Sequence, residues 1–168
     1  MRDLQLILQQ TGSYISGSAV LYLLHPGFFY PNDVDFYVNQ NGFPRLLHYL
    51  IDHGYKLYTN NGCTMQLLAL PQSPESLVSD TYARSYNFSE SLLIVLYMHH
   101  QSSPSVKVNI IVSRETHPVA AIIKFHSTIV MNFFAWYGLV SLYPRWMMRN
   151  VGLINNKKHL VSIIIQWI

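Results

Sequence analysis

A single cysteine, Cys63, sits among 168 residues. One thiol cannot close an internal disulfide or build a cysteine-based zinc site, and it gives no sign of an oxidising compartment. Charge is scarce too, with Asp, Glu, Lys and Arg making up 11% of the chain against a typical quarter. That deficit, with half of all residues apolar and 14% aromatic, excludes a solvated disordered chain. It predicts one domain over residues 1–168 with a substantial core and limited solubility. Internal repeats and low-complexity tracts are missing as well. The first ten residues lack the long apolar stretch of an export signal and set Asp3 beside Arg2. The expected location is therefore intracellular, cytoplasmic or nuclear.

Acidic groups are thin in one half of the chain. Residues 101–168 hold only Glu115 against seven basic groups, whereas residues 1–100 hold seven acids and four bases, giving about +6 and −3. Such asymmetry suits an anionic ligand lying between the halves, although scattered surface lysines and arginines are its commoner cause.

One apolar stretch, residues 125–143, approaches membrane-spanning length. His126, Ser127, Thr128, Asn132 and Gly138 interrupt it, and its β-branched and aromatic residues suit a buried strand followed by a short helix. A single-span membrane protein is the lesser alternative. The last nine residues are apolar with no polar tail, which reads as a truncated C-terminus or as a final element docked on the core.

What the chain does contain is an alternation of helices and strands. Residues 4–10 read as a helix after Asp3, Tyr14–Ser16 as a strand running into Gly17-Ser18, and residues 19–24 as a short helix. Pro31-Asn32 turns into a strand over 33–38, and Pro44 opens a helix that ends at Gly54. Residues 55–59 and 64–70 read as extended segments around an Asn60-Asn61-Gly62 turn. Residues 91–99 and 106–113 read as an antiparallel pair, followed by a helix start at Pro118. This order predicts an α/β (α+β) domain with a mixed sheet.

Within that frame Asp33-Val34-Asp35 stands out. Residues two apart on a strand point to one face, so both carboxylates face one point while Val34 packs behind. Two such oxygens suit magnesium, which completes its shell with water and substrate phosphate. Gly17-Ser18, separated from Asp33 by fourteen residues, is a turn ahead of a helix, a place where backbone amides and a hydroxyl receive phosphate. Asn32-Asp33 also reads as a plain turn closure, with Asp35 a solvated strand residue.

The strand Tyr14-Ile15-Ser16, Gly17-Ser18 and the strand Asp33-Val34-Asp35-Phe36-Tyr37-Val38 together resemble the nucleotidyltransferase superfamily of the DNA polymerase beta-like fold. Lys107-Val108-Asn109-Ile110-Ile111, the segment from Phe125 and Tyr143-Pro144 are similar to uncharacterised fungal members, so the resemblance spans residues 14–155. It implies a mixed sheet with helices mainly on one face, magnesium as cofactor, and transfer of a nucleoside monophosphate from a nucleoside triphosphate to an acceptor hydroxyl. The acceptor is unspecified, nucleic acid included. By the resemblance, Gly17 and Ser18 bind the triphosphate, and Asp33 and Asp35 are the metal ligands and catalytic carboxylates. A third carboxylate belongs on a later strand, and the matching position holds Asn109. An amide ligates magnesium weakly and takes no proton at neutral pH, so a nucleotide-binding or interaction protein without catalysis is the alternative. Of the later carboxylates Asp80, Glu90 and Glu115, the last is the best placed to substitute.

Other chemistry-bearing residues have plainer explanations. His99-His100 are strand neighbours that face opposite sides and cannot share an ion. His126-Ser127-Thr128 reads as a polar strand end lining the cleft. Arg145, Arg149, Lys157 and Lys158 suit phosphate contact or a solvated helix face, and Trp136 and Trp146 read as core.

Overall fold

The computed structural model describes residues 2–27, 30–57, 74, 91–154 and 164–166, the last three by backbone alone. The chain opens with α1 (Arg2–Thr11), β1 (Tyr14–Ser16), α2 (Ser18–Leu24), β2 (Asp33–Asn39), α3 (Phe43–Asp52) and β3 (Tyr55–Leu57). After the undescribed stretch come β4 (Leu92–His100), β5 (Ser103–Ser113), α4 (Val119–Ile122) and a 3₁₀ turn (Thr128–Val130). It continues through β6 (Asn132–Ala135), β7 (Gly138–Ser141), α5 (Pro144–Met147), β8 (Val151–Leu153) and β9 (Ile164–Gln166). Seven strands form one mixed sheet in the order β3-β4-β5-β2-β1-β6-β7, and β8 pairs with β9 separately. The one parallel pairing in the large sheet joins β2 to β5, and every other is antiparallel.

Strand alternation sorts side chains onto two faces. Phe36 and Val38 of β2 turn with Ile94, Leu96, Met98, Val108, Ile110 and Val112 toward the helices. There they meet Ile7 and Leu8 of α1, Val20 of α2 and Phe43, Leu46, Leu47 and Leu50 of α3 in the main core. The 3.6-residue period of the apolar positions in α3 builds the stripe that makes this possible. On the opposite face Tyr37, Val95, Ile111 and Phe133 pack under Ala121 and Ile122 of the short α4, a smaller cluster. Among the described residues the helices cover one face and leave one end of the other face open.

Several sequence expectations need correction. Residues 125–143 form neither a spanning helix nor a strand followed by a helix: they fold into the 3₁₀ turn and the β6–β7 hairpin, whose turn uses Gly138 at φ 141°. Among the described residues no helix is long and apolar enough to cross a membrane. Trp136 and Trp146 are 44% and 37% exposed and do not belong to the core. The terminal segment places β9 against β8 rather than in the large sheet. Residues 58–73, with the expected Asn60-Asn61-Gly62 turn, lie outside the described residues, as do Cys63, Lys157 and Lys158.

The join between β2 and α3 shows how tightly the helical layer is set. Asn39 Oδ1 accepts from the Gly42 amide at 2.8 Å while Asn39 Nδ2 donates to the Thr116 carbonyl at 2.9 Å. A Cβ at Gly42 would collide with the Thr11 carbonyl oxygen and meet Val38 Cγ2 at 2.9 Å. Backbone cannot swing aside as a flexible side chain can. Gly42→Ala is therefore expected to lower stability by roughly 1–3 kcal/mol, read from the denaturant midpoint. An unchanged midpoint would mean that α1 and α3 are not held this closely.

Candidate functional site

The parallel register of β2 and β5 aligns Asp33 with Lys107 and Asp35 with Asn109. All four side chains lie on the open face, since Val34 and Val108 alternate with them toward the main core. Asn109 Nδ2 donates to Asp33 Oδ2 at 2.9 Å and to Asp35 Oδ1 at 2.8 Å. One amide nitrogen therefore holds two carboxylates to a common point.

β1 completes the site from the other side. Ser16 pairs with Asp35 across the antiparallel β1–β2 ladder, and the next residue, Gly17, adopts φ 79° and ψ −150° to start α2. That backbone conformation strains any residue with a Cβ, and a Cβ there would also lie 2.5 Å from Asp35 Oδ2. Glycine is required twice over. Ser18 is the first residue of α2, and Ser16 Oγ donates to the Asn132 carbonyl at 2.6 Å, fixing the strand that carries the turn.

Burial sets the electrostatics. Loss of hydration, opposed by the Asn109 hydrogen bond and reinforced by the Asp33 charge, pushes the Asp35 carboxyl up to about 6. A cleft of about 300 Å³ opens over the pair, lined by Asp33, Asp35, Asn109 and Tyr97 at its polar end and by Tyr37, Leu92, Val95 and Ile111 at its apolar end. Among the described residues no three His, Cys, Asp or Glu side chains form a group fit for a metal ion. The donor set here is two carboxylates, since Asn109 turns its amide nitrogen toward both. It fits magnesium, which asks for few protein oxygens when water and phosphate supply the rest.

The expected residues Gly17, Asp33, Asp35 and Asn109 thus meet at one place, with Ser18 beginning the adjoining helix. Glu115 does not join them. It lies two residues beyond Ser113, which is itself about 13 Å along β5 from Asn109, and its Oε1 is 3.6 Å from Lys124 Nζ. Asp80 and Glu90 fall outside the described residues. The polar run at 126–128 is not a cleft lining. Ser127 Oγ accepts from the Ile129 amide and Thr128 Oγ1 accepts from the Leu153 amide, so both secure the 3₁₀ turn and β8. Tyr37, Tyr97, Val95 and Ile111 escaped the sequence reading. Alternation from Asp35 and Asn109 along β2 and β5 points to Tyr37 and Ile111, whereas Tyr97 and Val95 need the β4–β5 register.

Because Asp35 in the folded chain holds its proton to higher pH than a free carboxyl, the folded state binds more protons between about pH 4 and pH 6. Asp35 thus favours folding at the acid end of that window, and its contribution is lost as pH rises to 6. Asp35→Asn, measured by denaturation at pH 4 and pH 6.5, is expected to gain stability relative to the unmodified chain as pH rises. A constant difference between the two would contradict the burial of this charge.

No protein-family model matches the chain, and neither a curated protein nor a solved structure is found similar to it.

Proposed function

We propose that the cleft binds a nucleoside triphosphate with magnesium and transfers its nucleoside monophosphate to an acceptor hydroxyl, as in the nucleotidyltransferase superfamily that the sequence resembles. The observation that carries this reading is the convergence of Asp33 and Asp35 on one point beside the Gly17 turn. Asp33 and Asp35 hold the metal, and Gly17 and Ser18 receive the triphosphate at the start of α2. Magnesium, when bound, neutralises phosphate charge and lowers the pKa of the attacking hydroxyl. The acceptor oxygen forms a bond to the α-phosphorus, the bond from that phosphorus to the bridging oxygen breaks, and pyrophosphate leaves with the electron pair. The hydroxyl proton passes to water.

A specific observation favours a second reading. Asn109 stands where a third carboxylate would serve as ligand or base, and its amide nitrogen is committed to both aspartates. It takes no proton at neutral pH. A missing positioned base lowers turnover by on the order of a hundredfold or more, which leaves a nucleotide-binding protein with slow or no transfer.

Magnesium with the four ribonucleoside triphosphates is expected to raise the melting temperature, and Asp33→Ala with Asp35→Ala to abolish the rise. No rise with any nucleotide would remove both readings. Asn109→Asp separates them: it is expected to raise pyrophosphate release at least tenfold. Strong release by the unmodified chain rules out the inactive version, and none from either form rules out the transferase.

A further inference from the structure

The stretch that approaches membrane-spanning length in the sequence does not bury all of its apolar residues. Among the described residues twelve large apolar side chains are exposed, and seven of them fall within residues 136–148. They follow one edge of the large sheet, where β7 is the last strand. Trp136 and Tyr137 form the hairpin turn, 44% and 58% exposed, with ring centroids 5.3 Å apart. Beyond the four residues of β7, about 13 Å further along, Tyr143 and Trp146 make a second aromatic pair at α5, with centroids 6.3 Å apart. Leu139 and Leu142 fill the interval, and Met148, 75% exposed, follows α5. An apolar patch of this kind marks a contact surface.

Each aromatic pair has arginine beside it. Gln5 Nε2 donates to the Trp136 carbonyl at 3.4 Å, and Arg2, one turn earlier, shares the side of α1 that faces the hairpin. Asp3, two positions from Gln5, falls on the opposite side of that helix, and its charge acts on Tyr49 of α3. At the other end Arg145 lies on α5, and the Arg149 amide donates to the Trp146 carbonyl at 3.0 Å. All three arginines are exposed, and the ion pairs among the described residues, His48 with Asp52 and Lys124 with Glu115, leave them unengaged. Residues 116–168 contain no Asp or Glu at all.

We propose that this edge docks on an anionic lipid surface, with the arginines on headgroup phosphates and the hairpin turn, β7 and α5 seated at the boundary of the acyl chains. Charge complementarity sets the sign of the partner: an acid-free edge with three unengaged arginines repels a second copy of itself and attracts an anion. Composition sets its kind. Trp and Tyr place their rings in apolar matter and a polar end in water, as they do at bilayer interfaces, and an arginine keeps its head among phosphates while its stem lies along apolar groups. Single-stranded nucleic acid would stack on the four rings but leave Leu139, Leu142 and Met148 without a partner, so lipid fits the whole edge better. The contact is peripheral, as suits a chain in which no helix among the described residues is long and apolar enough to cross a membrane. It does not rest on the transfer reading, since β7 stands three strands, roughly 14 Å, from β2.

Flotation of the full chain with lipid vesicles tests this. Vesicles of phosphatidylcholine with about one-quarter phosphatidylserine are expected to bind the chain at least about tenfold more tightly than pure phosphatidylcholine at low salt. Arg145→Gln with Arg149→Gln should remove most of that preference, and Arg145→Lys with Arg149→Lys should keep it. Tyr137→Ser with Met148→Ser should weaken binding to the anionic vesicles by about tenfold or more. Ile123→Ser, an exposed apolar position at the end of α4 on the opposite face, should leave it unchanged. All of these positions are exposed, so each variant should keep the melting temperature of the unmodified chain. No binding to anionic vesicles, equal binding to the two compositions, or binding that survives both the Gln and the Ser pairs overturns the proposal. Tighter binding of oligouridylate than of vesicles, lost in the same variants, assigns the edge to nucleic acid and overturns it as well.

Discussion

Two carboxylates on one strand face repel, and the amide of Asn109 is what holds them together. Asp35 carries the burial penalty, and Asp33 adds to it. A lysine or arginine in place of Asn109 would cancel one of the two negative charges and weaken the cleft's attraction for cations. The neutral amide supplies two hydrogens without adding charge. A cation that enters between Asp33 and Asp35 therefore competes only with hydrogen bonds, each worth on the order of a kilocalorie, and inherits the full charge of the pair. Asn109 both holds the carboxylates together and limits the chemistry of the cleft, because its amide cannot accept a proton.

The location of the cleft follows from how the helices are distributed. α1, α2 and α3 pack on one side of the sheet, and among the described residues α4 and Phe125 pack on the other side with Tyr37, Val95 and Ile111. Asp33 and Asp35 stand at the start of β2, and Asn109 stands beside Asp35 within β5. The carboxylates there line the cleft, and two residues further on along the same strands Tyr37 and Ile111 form its apolar end.

The alternation of Asp33-Val34-Asp35-Phe36 gave away both the strand and the shared face of the carboxylates, because a period of two leaves no other arrangement on a half-buried strand. Asn109 was legible as a counterpart through its apolar neighbours Val108 and Ile110. The glycine at 17 was legible as a turn, but not as the only residue that clears Asp35, since that contact crosses from β1 to β2. The stretch 125–143 misled for a related reason. Its apolar composition fits a span, a buried strand or a hairpin equally, and the tertiary pairing of β6 with β1 decides among them. Trp136 and Trp146 illustrate the limit of composition, since an aromatic at a hairpin tip or a short helix need not face inward. Tyr97 entered the cleft through a register between β4 and β5 that no local pattern encodes.

Parallel pairing of β2 with β5 joins residues 74 apart in the chain, Asp35 and Asn109 among them. Strands that are neighbours in sequence can zip from a turn, but these two meet only after α3, β3, β4 and the intervening chain have been enclosed in a loop. Closing such a loop is costly before its contacts form, so topologies of this kind fold slowly. The cleft therefore exists only where this long-range pairing has formed. No fragment from either half can assemble it, and a chain that has made its helices and hairpins but not this one pairing has a core in the making and no site at all.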